Sequence, residues 1–193
     1  MKLILASRSP ARRKLMDELG RPFECVTSDY HEDMKAYRAQ WRLAQFLALG
    51  KAMHVAGRFP SATIVGADTF ITCRGKNIGK PVSIADAKRL IRYMSGHIIK
   101  VYTGVAVVQT DAKGSVVKKV VDYAVTDLTI KKMSAEEVNL LAHQKDALHI
   151  SGAFSIEGEG GKMITKISGD YNNVIGLPMF LLEKMLKKIT SRA

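Results

Sequence analysis

The chain has 193 residues, 47% hydrophobic and 25% charged, an ordinary globular composition with enough length for a substantial core. No apolar run approaches the ~18 residues of a membrane span, the opening LILA is too short for a signal-peptide core, and the two cysteines form neither a disulfide framework nor a metal-ligand spacing. These features predict a cytoplasmic protein with reduced thiols and no membrane partner, and a net charge of +12 asks for an anionic partner without naming it: nucleic acid, anionic lipid and a nucleotide polyphosphate all qualify.

Residues 2–6 read as a buried strand. Ser9 and Pro10 fit the N-cap and first position of a helix running to about Gly20. FECV (23–26) is a short strand, and 36–57 is a long helix with Leu43, Phe46 and Leu47 on one face. The β-branched stretch ATIVGADTFITC (62–73) is a central strand, turned into a hairpin by RGKN (74–77). Ser83 and Asp86 start a helix that ends near Ser95-Gly96. Two long strands, 98–109 and 115–130, are joined at DAKGS. Ser134 and Glu137 have capping-box spacing for a helix to about 145. KMITKI (162–167) is a strand, SGDYNN (168–173) a turn cluster, and Pro178 opens a last helix with a basic end. No repeat or low-complexity segment interrupts this order, and every loop is short. The expectation is therefore one α/β domain over 1–193 with a mixed sheet.

Four stretches carry chemistry. In ASRSPARR (6–13) a helix start follows a buried strand, so free backbone N–H groups, the Ser7 and Ser9 hydroxyls and the Arg8, Arg12 and Arg13 guanidinium groups suit a phosphate. A capped helix with solvated arginines is the alternative. Asp68 lies inside IVGADTFI, where a carboxylate is costly to bury unless paired or metal-bound; a bulge satisfied by backbone amides is the alternative. GKNIGKP (75–81) is not a Walker A loop, because its glycine spacing is one short and Pro81 replaces the Ser/Thr, but Lys80 remains a point charge for a phosphate. In SIEGEGG (155–161), Glu157 and Glu159 suit a metal, a base edge or solvent. No zinc site is expected, since His31-Glu32 opens no HExxH motif and position 35 is Lys. No Gly-x-Ser-x-Gly elbow is present. The basic terminal helix (Lys184, Lys187, Lys188, Arg192) has no interleaved aromatics, so it reads as a solvated helix end rather than a nucleic-acid surface.

The order of these segments resembles the Maf family of nucleotide pyrophosphatases. LILASRSPARRKLM is similar to that family's LILAS-x-SP-x-RR-x-LL, LALGKA to its LAxxKA, and GADT to its (G/S)ADT. IGKP, MSGH, VYTGVAV, GAFSIEG and GDYNNVIGLP follow in the family's order, from residue 2 to about 180. The resemblance implies an elongated mixed α/β fold with two lobes around a cleft, like the inosine triphosphate pyrophosphatases. It also implies a homodimer, a divalent cation (Mg2+ or Mn2+), and cleavage of a nucleoside triphosphate to monophosphate and pyrophosphate that clears modified nucleotides. Carried over by residue, it makes Ser7, Ser9, Arg12, Arg13 and Thr69 substrate-binding and Glu157 the base reader. Glu32 and Asp68 become metal ligands and, with Lys51 and Lys80, the catalytic set.

Two departures bear on specificity. The family's pyrimidine branch has Arg where this chain has Ala11 and Gln where it has Glu157; its 7-methyl-GTP branch has Trp and Glu. A Glu only accepts hydrogen bonds and so suits the N–H donors of guanine. The expectation is thus a 7-methyl-GTP-like substrate, with dTTP/UTP hydrolysis as the alternative suggested by GDYNNVIG. A basic nucleic-acid-binding or cell-division regulatory protein without turnover is the rival class. The second departure is His31-Glu32-Asp33 where the family has Asp-Glu-Thr-Pro, which leaves open which carboxylate meets the metal.

Overall fold

A computed structural model describes residues 1–191. The strands are β1 (Lys2–Leu5), β2 (Glu24–Cys25), β3 (Ala62–Cys73), β4 (Lys76–Ile78), β5 (Ile98–Thr110), β6 (Val116–Ile130) and β7 (Ile164–Ser168). They form one mixed sheet in the order β2-β1-β3-β5-β6-β7, with β4 added to β3. β1 runs parallel to both β2 and β3, with Leu5 opposite Val65, whereas β3/β4 and β6/β7 are antiparallel. The helices are α1 (Pro10–Asp17), α2 (Gln40–Ala56), α3 (Ile84–Met94), α4 (Ala135–Ala142), α5 (Tyr171–Ile175) and α6 (Met179–Thr190). Among the described residues no helix is long and apolar enough to cross a membrane.

The chain divides into two compact units. The first holds Met1–Thr69, Thr103–Ala124 and the chain from Asn172; the second holds Phe70–Tyr102 and Val125–Tyr171. The divide passes through β3, through β5 and through β6. No linker or shift in composition marks it.

In the first unit, strand alternation sorts the apolar residues into two cores. Leu3, Leu5, Val65, Ala67, Val105 and Val107 face Leu15 and Met16 of α1 and Leu182, Met185 and Leu186 of α6. Ile4, Ala6, Ile64, Ala106 and Val108 face Ala48, Ala52 and Val55 of α2. Both faces are covered here, so these stretches of β1, β3 and β5 are mostly apolar. The α2 side is lined with small residues because the helix lies very close. A Cβ on Gly66 would meet the Ala48 carbonyl oxygen and come within 2.7 Å of the Ala52 nitrogen, and one on Gly104 would strike the Ala44 carbonyl.

In the second unit, α3 and α4 pack together, and Gly152 (φ +79°) lies against Ile71 and Met94, where no side chain fits. Ser134 and Glu137 form the full capping box of α4. Ser83 caps α3 by accepting from the Asp86 N–H.

Several boundaries differ from expectation. α1 ends at Asp17 and α4 at Ala142, with turns beyond each. α2 begins at Gln40 rather than 36, behind an N-cap (Ala39) that has no side-chain acceptor. Residues 159–163 wind into a 3-10 turn, so β7 starts at Ile164. The expected turn at 168–173 instead contains the start of α5, a single helical turn ending at Gly176 (φ +120°). Arg192 lies outside the described residues.

Candidate active site

Strand alternation sends Asp68 to the α2 side of the sheet, beyond Ile64 and Gly66. There it pairs with Lys51 of α2, and the same ammonium lies 2.7 Å from Glu32 Oε1. The Asp68 side chain is 8% exposed, Lys51 14% and Glu32 43%, so the group runs from interior to solvent. A carboxylate this deep is stable only with a compensating charge, and Lys51 supplies it. Gly50, next to Lys51, clears space for the Tyr30 ring, and Tyr30 also meets Phe46 edge to face at 6.3 Å. That aromatic contact holds the strand-free segment carrying Glu32 against α2. Asp33 turns into its own loop, accepting from the Lys35 N–H at 2.9 Å, so Glu32 is the acidic residue of that segment placed beside Asp68.

Thr69 points to the other face. There the Arg12 guanidinium donates to the Gly176 carbonyl through Nε (2.8 Å) and to Thr69 Oγ1 through Nη2 (2.9 Å); its Nη1 is 3.4 Å from Ser7 Oγ. Thr69 Oγ1 is also 2.9 Å from Thr103 Oγ1, and Thr103 donates to the Asn173 carbonyl at 3.1 Å. Burial pushes the Arg12 guanidinium below its ordinary value, while the charges of Asp68 and Glu32 pull it back. Ser9 caps α1 by accepting from the Arg12 N–H, and Ser7 Oγ accepts from the Ser9 N–H. The cradle read in ASRSPARR is therefore built of side chains already tied into the protein, with Arg12 anchored on one edge.

Arg8 and Arg13 do not join this group. Arg8 is exposed, and Arg13 lines a separate depression of about 430 Å³ with Asp17, Arg21, Phe23 and Cys25, because consecutive helix positions point about 100° apart. Two further expected residues belong to the second unit. Lys80 is exposed in the loop between β4 and α3, where the neighbouring Gly79 carbonyl accepts from the Gly152 N–H. Glu157 is exposed at a pocket of about 350 Å³ lined also by Lys145, Phe154 and Ser155, and its backbone N–H donates to Ser155 Oγ. Glu159 pairs instead with Lys162 at 2.6 Å.

The donor set suits a hard divalent cation. Glu32 and Asp68 converge on one point, a place now filled by the Lys51 ammonium, and both offer carboxylate oxygens. Among the described residues no cluster of three or more His, Cys, Asp or Glu is present. Two carboxylates, with water and phosphate oxygens to complete the shell, match the way magnesium is commonly held.

Thr103 was not singled out from the sequence, although the signal was of the same kind as for Asp68. It is a fully buried polar side chain in β5, followed there by the buried Val105, Ala106, Val107 and Val108. Gly176 and Asn173 enter through their backbone carbonyls, which no residue pattern marks.

A family model described as Maf-like protein matches residues 2–189. The chain is 37% identical over 188 residues to a dTTP/UTP pyrophosphatase of Elusimicrobium minutum (strain Pei191), covering 97% of this chain and 98% of that one. It is 36% identical over 190 residues to a dTTP/UTP pyrophosphatase of Bacillus mycoides (strain KBAB4), covering 98% and 96%. Among solved structures, a HAM1 protein from Coxiella burnetii aligns with a TM-score of 0.44 at 11% identity, over 69% of this chain and 74% of that one.

Proposed function

We propose that this chain, which belongs to the Maf family, hydrolyses a nucleoside triphosphate between its α and β phosphates, with dTTP and UTP as preferred substrates. The observation that carries the reading is the meeting of buried Asp68 with Glu32 at Lys51, midway along β3, where the next residue, Thr69, holds Arg12. The pyrimidine preference draws its support from the two dTTP/UTP pyrophosphatases at 37% and 36% identity over nearly the whole chain. It is preferred to the 7-methyl-GTP reading, which rested on Glu157 and on the likeness of PFECV (22–26) and VYTGVAV to that branch, while Ala11 matches neither branch.

In this reading Arg12, fixed through Nε and Nη2, presents its remaining N–H groups to phosphate oxygens, and the exposed Arg8 and Arg13 raise the local positive potential. Glu32 and Asp68 would hold the divalent cation. When bound, that ion supplies charge neutralisation for the phosphate oxygens and for the departing pyrophosphate. Asp68 orients the attacking water and takes its proton as the new bond to the α-phosphorus forms and the bridging P–O bond breaks. Lys51, which the bound cation would displace from between the two carboxylates, would then face a phosphate oxygen, a protein cation at a site of growing negative charge. Lys80 and Glu157 keep the roles that the family resemblance implies, neutralising the polyphosphate and reading the base.

The test is pyrophosphate release with magnesium or manganese across dTTP, UTP, 7-methyl-GTP, GTP and inosine triphosphate. Pyrophosphate without free phosphate, fastest from dTTP and UTP, is the expected result. Fastest release from 7-methyl-GTP would return the specificity to the guanine reading while leaving the reaction intact. No release from any of the five would remove the enzymatic reading and favour the nucleic-acid-binding alternative, which predicts salt-sensitive affinity for long DNA or RNA.

A further inference from the structure

We propose that Thr103 is a positioning residue: its buried hydroxyl orients the Arg12 guanidinium toward a bound polyphosphate by anchoring two of the three groups that hold it. The proposal rests on the reading of Arg12 as a phosphate ligand.

Proton counting carries the argument. Thr69 and Thr103 each have one hydroxyl proton, and three acceptors compete for the two: the partner oxygen at 2.9 Å, the Asn173 carbonyl at 3.1 Å from Thr103, and the Gly176 carbonyl at 3.3 Å from Thr69. If Thr103 donated to Thr69, its bond to the Asn173 carbonyl would be lost. If both hydroxyls donated outward, two oxygens would face each other at 2.9 Å with no proton between them. The arrangement that keeps the two shorter bonds sends the Thr69 proton to Thr103 and the Thr103 proton to Asn173. Every bond in the row then runs one way, from Arg12 Nη2 to Thr69, to Thr103, to the backbone of α5. The lone pairs of Thr69 are left for Arg12, and the Gly176 carbonyl is left for Arg12 Nε at 2.8 Å.

Thr103 thus fixes two of the three Arg12 contacts. It sets the direction of the Thr69 hydroxyl, and it ties β5 to the short helix that ends at Gly176. Gly176 has φ +120°, and its own N–H bonds back to the Asn172 and Asn173 carbonyls, so the position of Asn173 sets the position of the Gly176 carbonyl. A guanidinium held through Nε and one Nη2 hydrogen cannot swing, and its unused N–H groups keep a single direction. Thr103 is completely buried and touches no solvent, so it acts through Arg12 and not on the ligand.

The experiment measures binding of inorganic tripolyphosphate, a probe with neither base nor scissile nucleotide, by calorimetry on the full chain. The variants are Thr103→Val, Thr103→Ser, Arg12→Lys and the Arg12→Lys/Thr103→Val pair. Thr103→Val should weaken binding about tenfold, the scale of one lost buried hydrogen bond, and Thr103→Ser should restore it to within about twofold. In the Arg12→Lys background, Thr103→Val should cost nothing further, since lysine has no fork to orient. If Thr103→Val does not fold, Thr69→Val breaks the same row one link nearer to Arg12 and carries the same prediction. Wild-type protein that fails to bind tripolyphosphate would overturn the phosphate-cradle reading and this proposal with it. Wild-type binding that Thr103→Val leaves unchanged, a loss that serine does not rescue, or an equal loss in the Arg12→Lys background would overturn this proposal alone.

Discussion

Asp68 and Thr69 are neighbours in sequence and opposites in surroundings. On the α2 side of the sheet, Asp68 is held by charge: Lys51 lies between it and Glu32, and the group opens toward solvent at Glu32. On the α1 side, Thr69 is held by neutral hydroxyls and backbone carbonyls that converge on one arginine. The first arrangement tolerates movement, because ion pairing depends weakly on angle and Lys51 has a long flexible stem. The second does not, because each hydroxyl has one proton and each hydrogen bond needs its direction. A site that handles a polyphosphate has use for both kinds of hold. A yielding cation follows charge as it develops, while a rigid fork fixes where the phosphate lies.

Substitutions on the two faces should therefore fail in different ways. The largest effect is expected from Asp68→Asn, which keeps the shape and removes the carboxylate. Turnover should fall by roughly 10²–10⁴-fold while the circular dichroism spectrum stays that of the wild type. Near-normal pyrophosphate release by this variant would take Asp68 out of the chemistry. Arg12→Lys should act on the other face, raising KM about tenfold or more and lowering stability by about 1–3 kcal/mol as the Gly176 and Thr69 contacts are lost together. A variant with unchanged KM would mean that the guanidinium serves the fold and not the substrate.

Gly66→Ala tests whether the two faces are mechanically separate. The added methyl group would push α2 away from β3, so we expect a loss of about 1–3 kcal/mol in chemical denaturation. Turnover should fall with it, because Lys51 is carried on the displaced helix, whereas tripolyphosphate binding through Arg12 should change little. Equal losses in both assays would show that the faces move together.

The smallest effect is expected in the second unit. The Lys131 ammonium, bonded to Glu137 at 2.6 Å, and the Ser134 N–H hold the Glu137 carboxyl below the ordinary glutamate range. Such a group contributes stability that is present above its unfolded-state value and is lost as pH falls through the lower folded-state value. Glu137→Gln should therefore lower the melting temperature slightly near neutral pH, and the gap to wild type should close in acid. A gap independent of pH would assign the effect to side-chain packing instead of charge.

Much of this was legible along the chain because it depends on near neighbours. The Ser9, Ser83 and Ser134 caps are written within three or four residues, and each appears where the spacing put it. The span of β3 follows from an unbroken β-branched run, and Asp68 stands out within it because a lone carboxylate there requires a partner. The start of α2 was not legible, since Ala39 offers no cap, and neither was the helical turn at 171–175, whose Asn-rich sequence suits a turn equally well. Lys51 and Glu32 had no local signal at all. They acquired meaning only from the order of motifs, and their meeting depends on Gly66 and Gly50 letting α2 and Tyr30 come close.

Along the chain alone one reads the strands, the helices other than the turn at 171–175, the starts of three helices, and that residue 68 is a buried charge in need of compensation. These are consequences of backbone preference and of the cost of desolvation, and both act residue by residue. Only the tertiary structure decided which cation compensates that charge, that Asp68 and Thr69 serve opposite faces, and that Arg12 is anchored to a carbonyl 164 positions away. Such contacts are set by how closely helices and strands can pack, and that distance is fixed only when all of them are assembled.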